Sequence, residues 1–254
     1  MKISVITISY NSENFISSAI QSVLSQTHSD LEYIIVDGNS QDHTMDIVKS
    51  FGAGISKWVS EPDKGLYDAL NKGISMATGE VVGFLHSDDF FANDSVIEKV
   101  SELFENSHTD SVYGDVQYVD QTDTCKTLTD RKSGHFSLLK LKLGWLPPHP
   151  TFYVKRDLYS KYGNFDTTFN ISADYDSMLR FLGKYKISNV YSHEVMVKMR
   201  VGGVSNRTMK NISKKWQEDY RAMKNNDIGN LITLFLKTMR PIAHFYKSPR
   251  YLFG

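Results

Sequence analysis

The sequence predicts an α/β protein: a mostly parallel β-sheet flanked by helices, followed by a helical C-terminal extension. Three observations carry that prediction. Short β-branched runs alternate with amphipathic stretches over the first hundred residues, the pattern of parallel strands joined by helical crossovers. A polar cluster follows each of the first four runs. Beyond residue 206 the strand-like runs stop and two helical patterns remain.

The elements follow in order. "ISVITIS" (3–9) is β-branched and apolar and reads as a buried strand. In "NSENFISSAIQSVLSQ", Asn11 or Ser12 can cap a helix whose Phe15, Ile16, Ala19, Ile20, Val23 and Leu24 form one apolar face. "LEYIIVDG" (31–38) is a second strand, and "DHTMDIVKSFG" is a short helix stopped by Gly52. "ISKWVSE" (55–61), "GLYDALNKGISMATG" and "EVVGFLH" (80–86) give a strand, a helix and a strand. "NDSVIEKVSELFEN" and "SVYGDVQYV" add another helix and strand, and the polar stretch 120–134 reads as a mobile loop. "TFYV" (151–154), "RDLYSKYG", "ADYDSMLRFLGKY" and "VMVKMRV" (195–201) read as strand, helix, helix and strand. The extension then gives "MKNISKKWQEDYRAMK" and "IGNLITLFLKTM", with a break near Asn225–Asn226. Two units are expected: residues 1–206 as the α/β body, and 207–254 as a basic amphipathic extension.

A net charge of zero argues against bulk electrostatic binding to nucleic acid. The charge is unevenly spread. From Arg207 onward there are ten Lys+Arg against three Asp+Glu, so the extension carries +7 and residues 1–206 carry −7. The basic, apolar tail can lie on an anionic membrane surface, pack on the body, or meet a second subunit. One cysteine, Cys125, excludes an intrachain disulfide framework and a cysteine-based zinc cluster, and fits a reducing compartment. The start lacks a signal-peptide apolar core, and no run reaches the roughly 18 apolar residues of a membrane span. The expected location is the cytoplasm, soluble or peripheral on the inner face of the plasma membrane.

The four polar clusters are "SYNS", "VDGNSQD", "SEPDKG" and "HSDD". In a parallel sheet they would share the carboxyl edge, where ligands bind. The adjacent acids Asp88 and Asp89 repel one another, and a divalent cation with substrate phosphates is one way to hold them together. A cap for the following turn is the plainer account. Asp37 can accept hydrogen bonds from a base or ribose, or form an Asx turn with Gly38. Asp42 reads as a helix N-cap. Asp63 and Lys64 precede a helix N-terminus that suits a phosphate or carboxylate. "SADYD" offers Asp174 or Asp176 as a general base; two residues apart on a helix, they do not share a face. His149, in "PPHP", can bind a metal or phosphate or simply shape a turn. Arg200 precedes two glycines and can close over a diphosphate.

Taken together, "TISYN", "VDGNSQD", "EPDKGLYDALNKG", "GEVVGFLHSDD" and "ISADYDSMLR" resemble the family 2 glycosyltransferases of the GT-A, Rossmann-like fold, over residues 1–205. "PDKGLYDALNKG" is similar to bacterial enzymes that build surface polysaccharides. The resemblance implies inverting transfer of a sugar from a nucleotide-diphosphate donor to a glycan or lipid-linked acceptor. It implies that Thr7, Tyr10 and Asp37 line the nucleobase pocket, with Asp63 and Lys64 nearby, and that Asp88 faces the ribose and metal. It implies Asp89 as ligand to Mn²⁺ or Mg²⁺, Asp174 as base, and Arg200 at the leaving diphosphate. Ala173 stands where the family carries a Glu, which leaves Asp174 and Asp176 both open. A sugar nucleotidyltransferase would want Gly and basic residues after the first strand, where "SYNSEN" stands. A non-catalytic nucleotide-sugar-binding module would not need Asp89 and Asp174 together. The donor, the acceptor and any homo-oligomer stay open.

Overall fold

The computed structural model describes residues 1–201 and 209–246, except for the side chains of 209–211 and 240–246. The expected boundary between 206 and 207 lies outside these residues. In chain order the elements are β1 (Ile3–Ser9), α1 (Ile16–Leu24), β2 (Leu31–Asp37), α2 (Thr44–Ser50), β3 (Lys57–Ser60), α3 (Leu66–Met76), β4 (Val81–Phe84), β5 (Phe90–Phe91), α4 (Val96–Ser107), β6 (Ser111–Val119), β7 (Thr127–Arg131), α5 (Leu138–Lys142), β8 (Tyr153–Lys155), α6 (Asp157–Tyr162), α7 (Ala173–Met178), β9 (Asn189–Arg200), α8 (Met209–Asn225) and α9 (Leu231–Tyr246).

The strands form one sheet in the order β3-β2-β1-β4-β8-β6-β9-β5, with β7 added on β6. Its first half is parallel: β1 pairs with β2 and β4, and β2 with β3. β8 then enters antiparallel between β4 and β6. β6 and β9 run parallel, and the short β5 closes antiparallel on β9. The parallel character is thus concentrated where the helical crossovers are.

Period-two alternation divides the strand side chains between two cores. Ile3, Val5, Tyr33 and Ile35 pack with α1, α2 and α4 on one face. Ile6, Ile8, Ile34 and Val36 pack with α3, α6, α7 and α8 on the other. α3 lies close against β1 because Gly73 has no side chain; a Cβ there would stand 2.4 Å from Ile6 Cγ2.

Two expectations change. Residues 120–134 are not all loop, since Thr127–Arg131 forms an edge strand on β6. "ADYDSMLRFLGKY" does not continue as one α-helix: after α7 the chain widens into a π-helical stretch over Leu179–Lys184, with the Tyr185 N–H donating to the Arg180 carbonyl at 2.9 Å. The break expected near Asn225–Asn226 separates α8 from α9. α8 packs on the body and places Ala222 and Met223 in the same core as α3 and α7.

Candidate active site

The carboxyl ends of β1, β2, β3 and β4 meet at one edge, and hydrogen bonds join their polar clusters. The Ser12 and Ser87 hydroxyls lie 2.9 Å apart, linking the loops after β1 and β4. The Asn11 N–H donates to Ser40 Oγ, and the Gln41 N–H to Asn11 Oδ1, linking β1 to β2. Asp37 joins three strand ends. It is fully buried and accepts from Ser9 Oγ (2.9 Å), Ser60 Oγ (2.7 Å) and both the N–H and hydroxyl of Ser40 (2.9 and 2.5 Å). Its carboxylate therefore orders the edge itself. Asp42 is used as a cap: it accepts from the Thr44 N–H at 3.0 Å and the Glu13 N–H at 3.1 Å.

Beside Asp37 the edge opens into a shelf. Tyr10 is 63 % exposed. Gly38 lies between the Tyr10 ring and Asp63, where a Cβ would be 2.7 Å from Asp63 Oδ2 and 3.4 Å from Tyr10 Cδ2. An exposed aromatic ring beside a carboxylate can stack on a nucleobase and accept from its edge. Thr7 does not reach this shelf; it is fully buried and accepts from the Tyr33 hydroxyl at 3.1 Å. Lys64 is exposed. The start of α3 is less open to an anion than its sequence implies, because Asp68 takes the Lys64 N–H (3.0 Å) and Asp63 the Gly65 N–H (2.8 Å). Gly65 has a φ of +114°, a conformation that L side chains rarely adopt.

The acid doublet follows β4. Asp88 is half-buried and Asp89 only 2 % exposed. Burial, and then the charge of Asp88, push the Asp89 carboxyl well above its usual range; the Arg200 backbone and charge oppose the shift. β9 delivers Arg200 here because Phe90 and Phe91 of β5 pair with Lys198 and Val197. Arg200 donates to the Asp88 carbonyl and, at 2.9 Å, to Ser18 Oγ. Its guanidinium lies 4.8 Å from the Phe90 ring centre and 5.4 Å from that of Phe15. The two phenylalanines after the doublet thus divide: Phe91 fills the core, and Phe90 supports the arginine.

A second carboxylate comes from the first turn of α7. Asp174 is partly exposed and accepts from the Tyr67 hydroxyl at 3.1 Å. Burial alone would raise its carboxyl, but His149 in its charged form, Lys215, the Tyr175 N–H and Lys237 outweigh burial and hold it below its ordinary value. It is therefore a carboxylate at neutral pH. Asp176 turns away, accepting from Arg180 at 2.7 Å and Asn226 at 2.8 Å.

Two histidines lie by these acids. The rings of His86 and His149 are 6.0 Å apart, and His149 stacks on Phe84 at 5.4 Å. Burial keeps both imidazoles neutral, lowering His149 to about 4. His86 feels the charges of both Asp88 and Asp174. His149 is more than a turn residue, and His86 was missed although it stands two positions before Asp88.

Among the described residues no group of three or more His, Cys, Asp or Glu forms a metal cage. Mg²⁺ and Mn²⁺ commonly take one or two protein carboxylates and complete their shell with water and substrate phosphates. The Asp88–Asp89 pair fits that partial donor set.

Residues 4–175 match the model of the family described as "Glycosyl transferase family 2". The chain belongs to glycosyl transferase family 2. It is 35 % identical over 183 residues to an uncharacterised glycosyltransferase of Mycobacterium tuberculosis (strain H37Rv), covering 70 % of this chain and 68 % of that one. It is 28 % identical over 208 residues to a PGL/p-HBAD biosynthesis glycosyltransferase of Mycobacterium bovis (strain BCG), covering 80 % and 78 %. The fold is that of S. aureus TarS, whose 1–349 structure in complex with UDP-GlcNAc aligns with a TM-score of 0.68 at 18 % identity, covering 98 % of this chain and 74 % of that one. Against a longer TarS structure the chain spans 40 % of its length. The mannosyltransferase PcManGT of Pyrobaculum calidifontis, in complex with GDP-Man and Mn²⁺, aligns with a TM-score of 0.63 at 16 % identity, covering 98 % and 72 %. These likenesses establish the GT-A fold. Among the described residues no helix of this family 2 chain is long and apolar enough to cross a membrane.

Proposed function

We propose that this protein transfers a sugar from a nucleotide-diphosphate donor to an acceptor hydroxyl, with inversion at the anomeric carbon, in the assembly of a bacterial surface glycan. The observation that carries this reading is the pairing, about His86, of an acid doublet beside Arg200 with a separate carboxylate, Asp174, since that histidine feels the charges of both Asp88 and Asp174.

The nucleobase rests on Tyr10 beside Asp63, with Asp37 holding that edge in shape. Asp88 faces the ribose, and Asp89 with the donor's phosphates would hold Mn²⁺ or Mg²⁺. An ion held there would supply positive charge to the leaving nucleoside diphosphate. Burial and the charge of Asp88 raise the Asp89 carboxyl, so binding of an ion there would favour its ionised form. Arg200 adds fixed positive charge beside the doublet, and Lys64 lies at the outer rim. Asp174, oriented by Tyr67, accepts the proton of the acceptor hydroxyl as oxygen attacks the anomeric carbon. Attack opposite the leaving group inverts that centre without a covalent sugar–enzyme intermediate. The nucleotide sugars bound by TarS and the mannosyltransferase support the donor class, and the Mn²⁺ of the latter supports the ion.

The test is a panel of UDP, GDP and dTDP sugars with and without Mn²⁺, read by thermal shift and turnover. One nucleotide class should raise Tm in a metal-dependent way, and its product should show the opposite anomeric configuration by NMR. Asp89→Ala should abolish metal-dependent turnover. Retention of configuration, or full activity of Asp89→Ala with metal present, overturns the corresponding part.

A further inference from the structure

α9 presents an apolar stripe outward, while its Leu234 packs against the core of the body. Leu231, Ile232, Phe235 and Met239 are 66, 67, 63 and 38 % exposed. At 3.6 residues per turn these positions share roughly one third of the helix circumference. The inward face is also held by polar groups. Thr233 is buried and donates to the Lys142 carbonyl at 2.6 Å. Lys237 pairs with Asp219 at 2.5 Å and lies 3.6 Å from the Tyr175 ring centre. Gly144 allows the close approach, since a Cβ there would stand 2.7 Å from Lys237 Cβ. The helix is thus tied to the body by its polar side, and its apolar stripe faces away.

The charge of this segment in sequence indicates what covers the stripe. From Ile228 to Gly254 the sequence has no acid; Lys237 is engaged with Asp219, and Arg240, Lys247 and Arg250 are its further cations. A second copy of the chain would set this basic segment against itself. A surface of anionic headgroups over acyl chains complements both the charge and the apolar stripe. We propose that the outward stripe of α9 seats on an anionic lipid surface. α8 takes no part in that seat through its buried residues: Ala222 and Met223 lie in the core, and Glu218 accepts the Asn170, Ile171 and Ser172 N–H groups. The inference uses no residue of the proposed transfer site.

The full chain is sedimented with vesicles of pure phosphatidylcholine and with vesicles of equimolar phosphatidylcholine and phosphatidylglycerol. It should pellet with the second and not the first. The double variant Ile232→Ser/Phe235→Ser should lose at least about tenfold in vesicle partitioning, since two large apolar side chains no longer enter the interface. Its melting temperature and donor thermal shift should match wild type, because both positions are exposed. Equal pelleting of wild type and variant, equal pelleting with neutral vesicles, or no pelleting at all overturns the proposal. So does light scattering that shows a wild-type dimer dissolved by the same substitutions, which would assign the stripe to a second copy.

Discussion

At the scale of single residues, the partners of Asp174 and Asp176 distinguish two acids that sequence spacing alone left interchangeable. Asp176 is tied to Arg180 and Asn226, and Asp174 faces Tyr67 and the two histidines. Asp174→Asn is therefore expected to lower kcat by more than about 100-fold with donor binding intact. Asp176→Asn should instead cost about 1–3 kcal/mol in denaturant unfolding, with kcat largely kept. Steady-state kinetics and urea titration on both variants read the distinction. A matched kcat loss in Asp176→Asn alone would move the base. Gly38→Ala places a methyl group against Asp63 and Tyr10. It should weaken donor-nucleotide affinity about tenfold or more, measured by calorimetry, and leave metal-independent stability nearly unchanged. The residue types at the strand ends were legible because acids after buried strands stand out from their surroundings. His86 was not, because a histidine inside an apolar-to-acidic transition carries no pattern of its own. Its meaning comes from His149, which only the fold brings near.

At the scale of elements, the opposite end of the sheet is held by Glu32, near the start of β2. It is 3 % exposed and accepts from Ser4 Oγ (2.6 Å), the Thr78 N–H (2.7 Å) and Thr78 Oγ1 (2.8 Å), with Lys57 Nζ at 2.9 Å. Burial pushes this carboxyl up, and the hydrogen bonds from Ser4, Thr78 and Lys57 more than offset it, bringing it from 4.5 to about 2. A pKa lowered by folding stabilises fully above the unfolded value and is lost as pH falls through the folded one. The contribution, about 3 kcal/mol, should vanish between pH 4.5 and about 2. Measured by urea unfolding, the stability gap between wild type and Glu32→Gln should close over that window and stay constant above it. A gap unchanged across the window would show that Glu32 is not the linked group. The crossover strands and helices were legible because each shows apolar spacing of period 2 or 3.6. β7 was not: its Thr127–Arg131 run is polar, pairs only with β6 and has no buried face. The π-helical stretch was likewise invisible, since a wider turn leaves the spacing of buried residues nearly helical.

For the whole molecule, the extension meets the body through its acids as well as its apolar residues. Its Lys215 and Lys237 approach its own Asp219, which accepts from the Ser172 hydroxyl, and Glu218 caps the loop that leads into α7. The extension therefore supports the helix that carries Asp174. Met223→Ala, 1 % exposed in the wild type, should cost about 2–5 kcal/mol by the usual penalty for emptying a core position. Thermal unfolding should remain a single transition, because α8 shares its core with α7. Two transitions would mean that the extension melts on its own. A basic amphipathic tail was legible as such. Which of its faces turns inward was not, because Thr233 and Lys237 are polar and sequence pattern places polar residues outside.

The route of β9 also sets an order in time. Asp88 and the arginine that donates to its carbonyl are 112 residues apart in sequence. At about 5–20 residues per second, a ribosome makes the paired acids roughly 6–22 s before Arg200. During that interval the nascent chain holds the parallel half of the sheet without β9. The proposed donor pocket is therefore completed late in synthesis, when β9 closes on β5. A chain released before that strand keeps an uncompensated acidic edge.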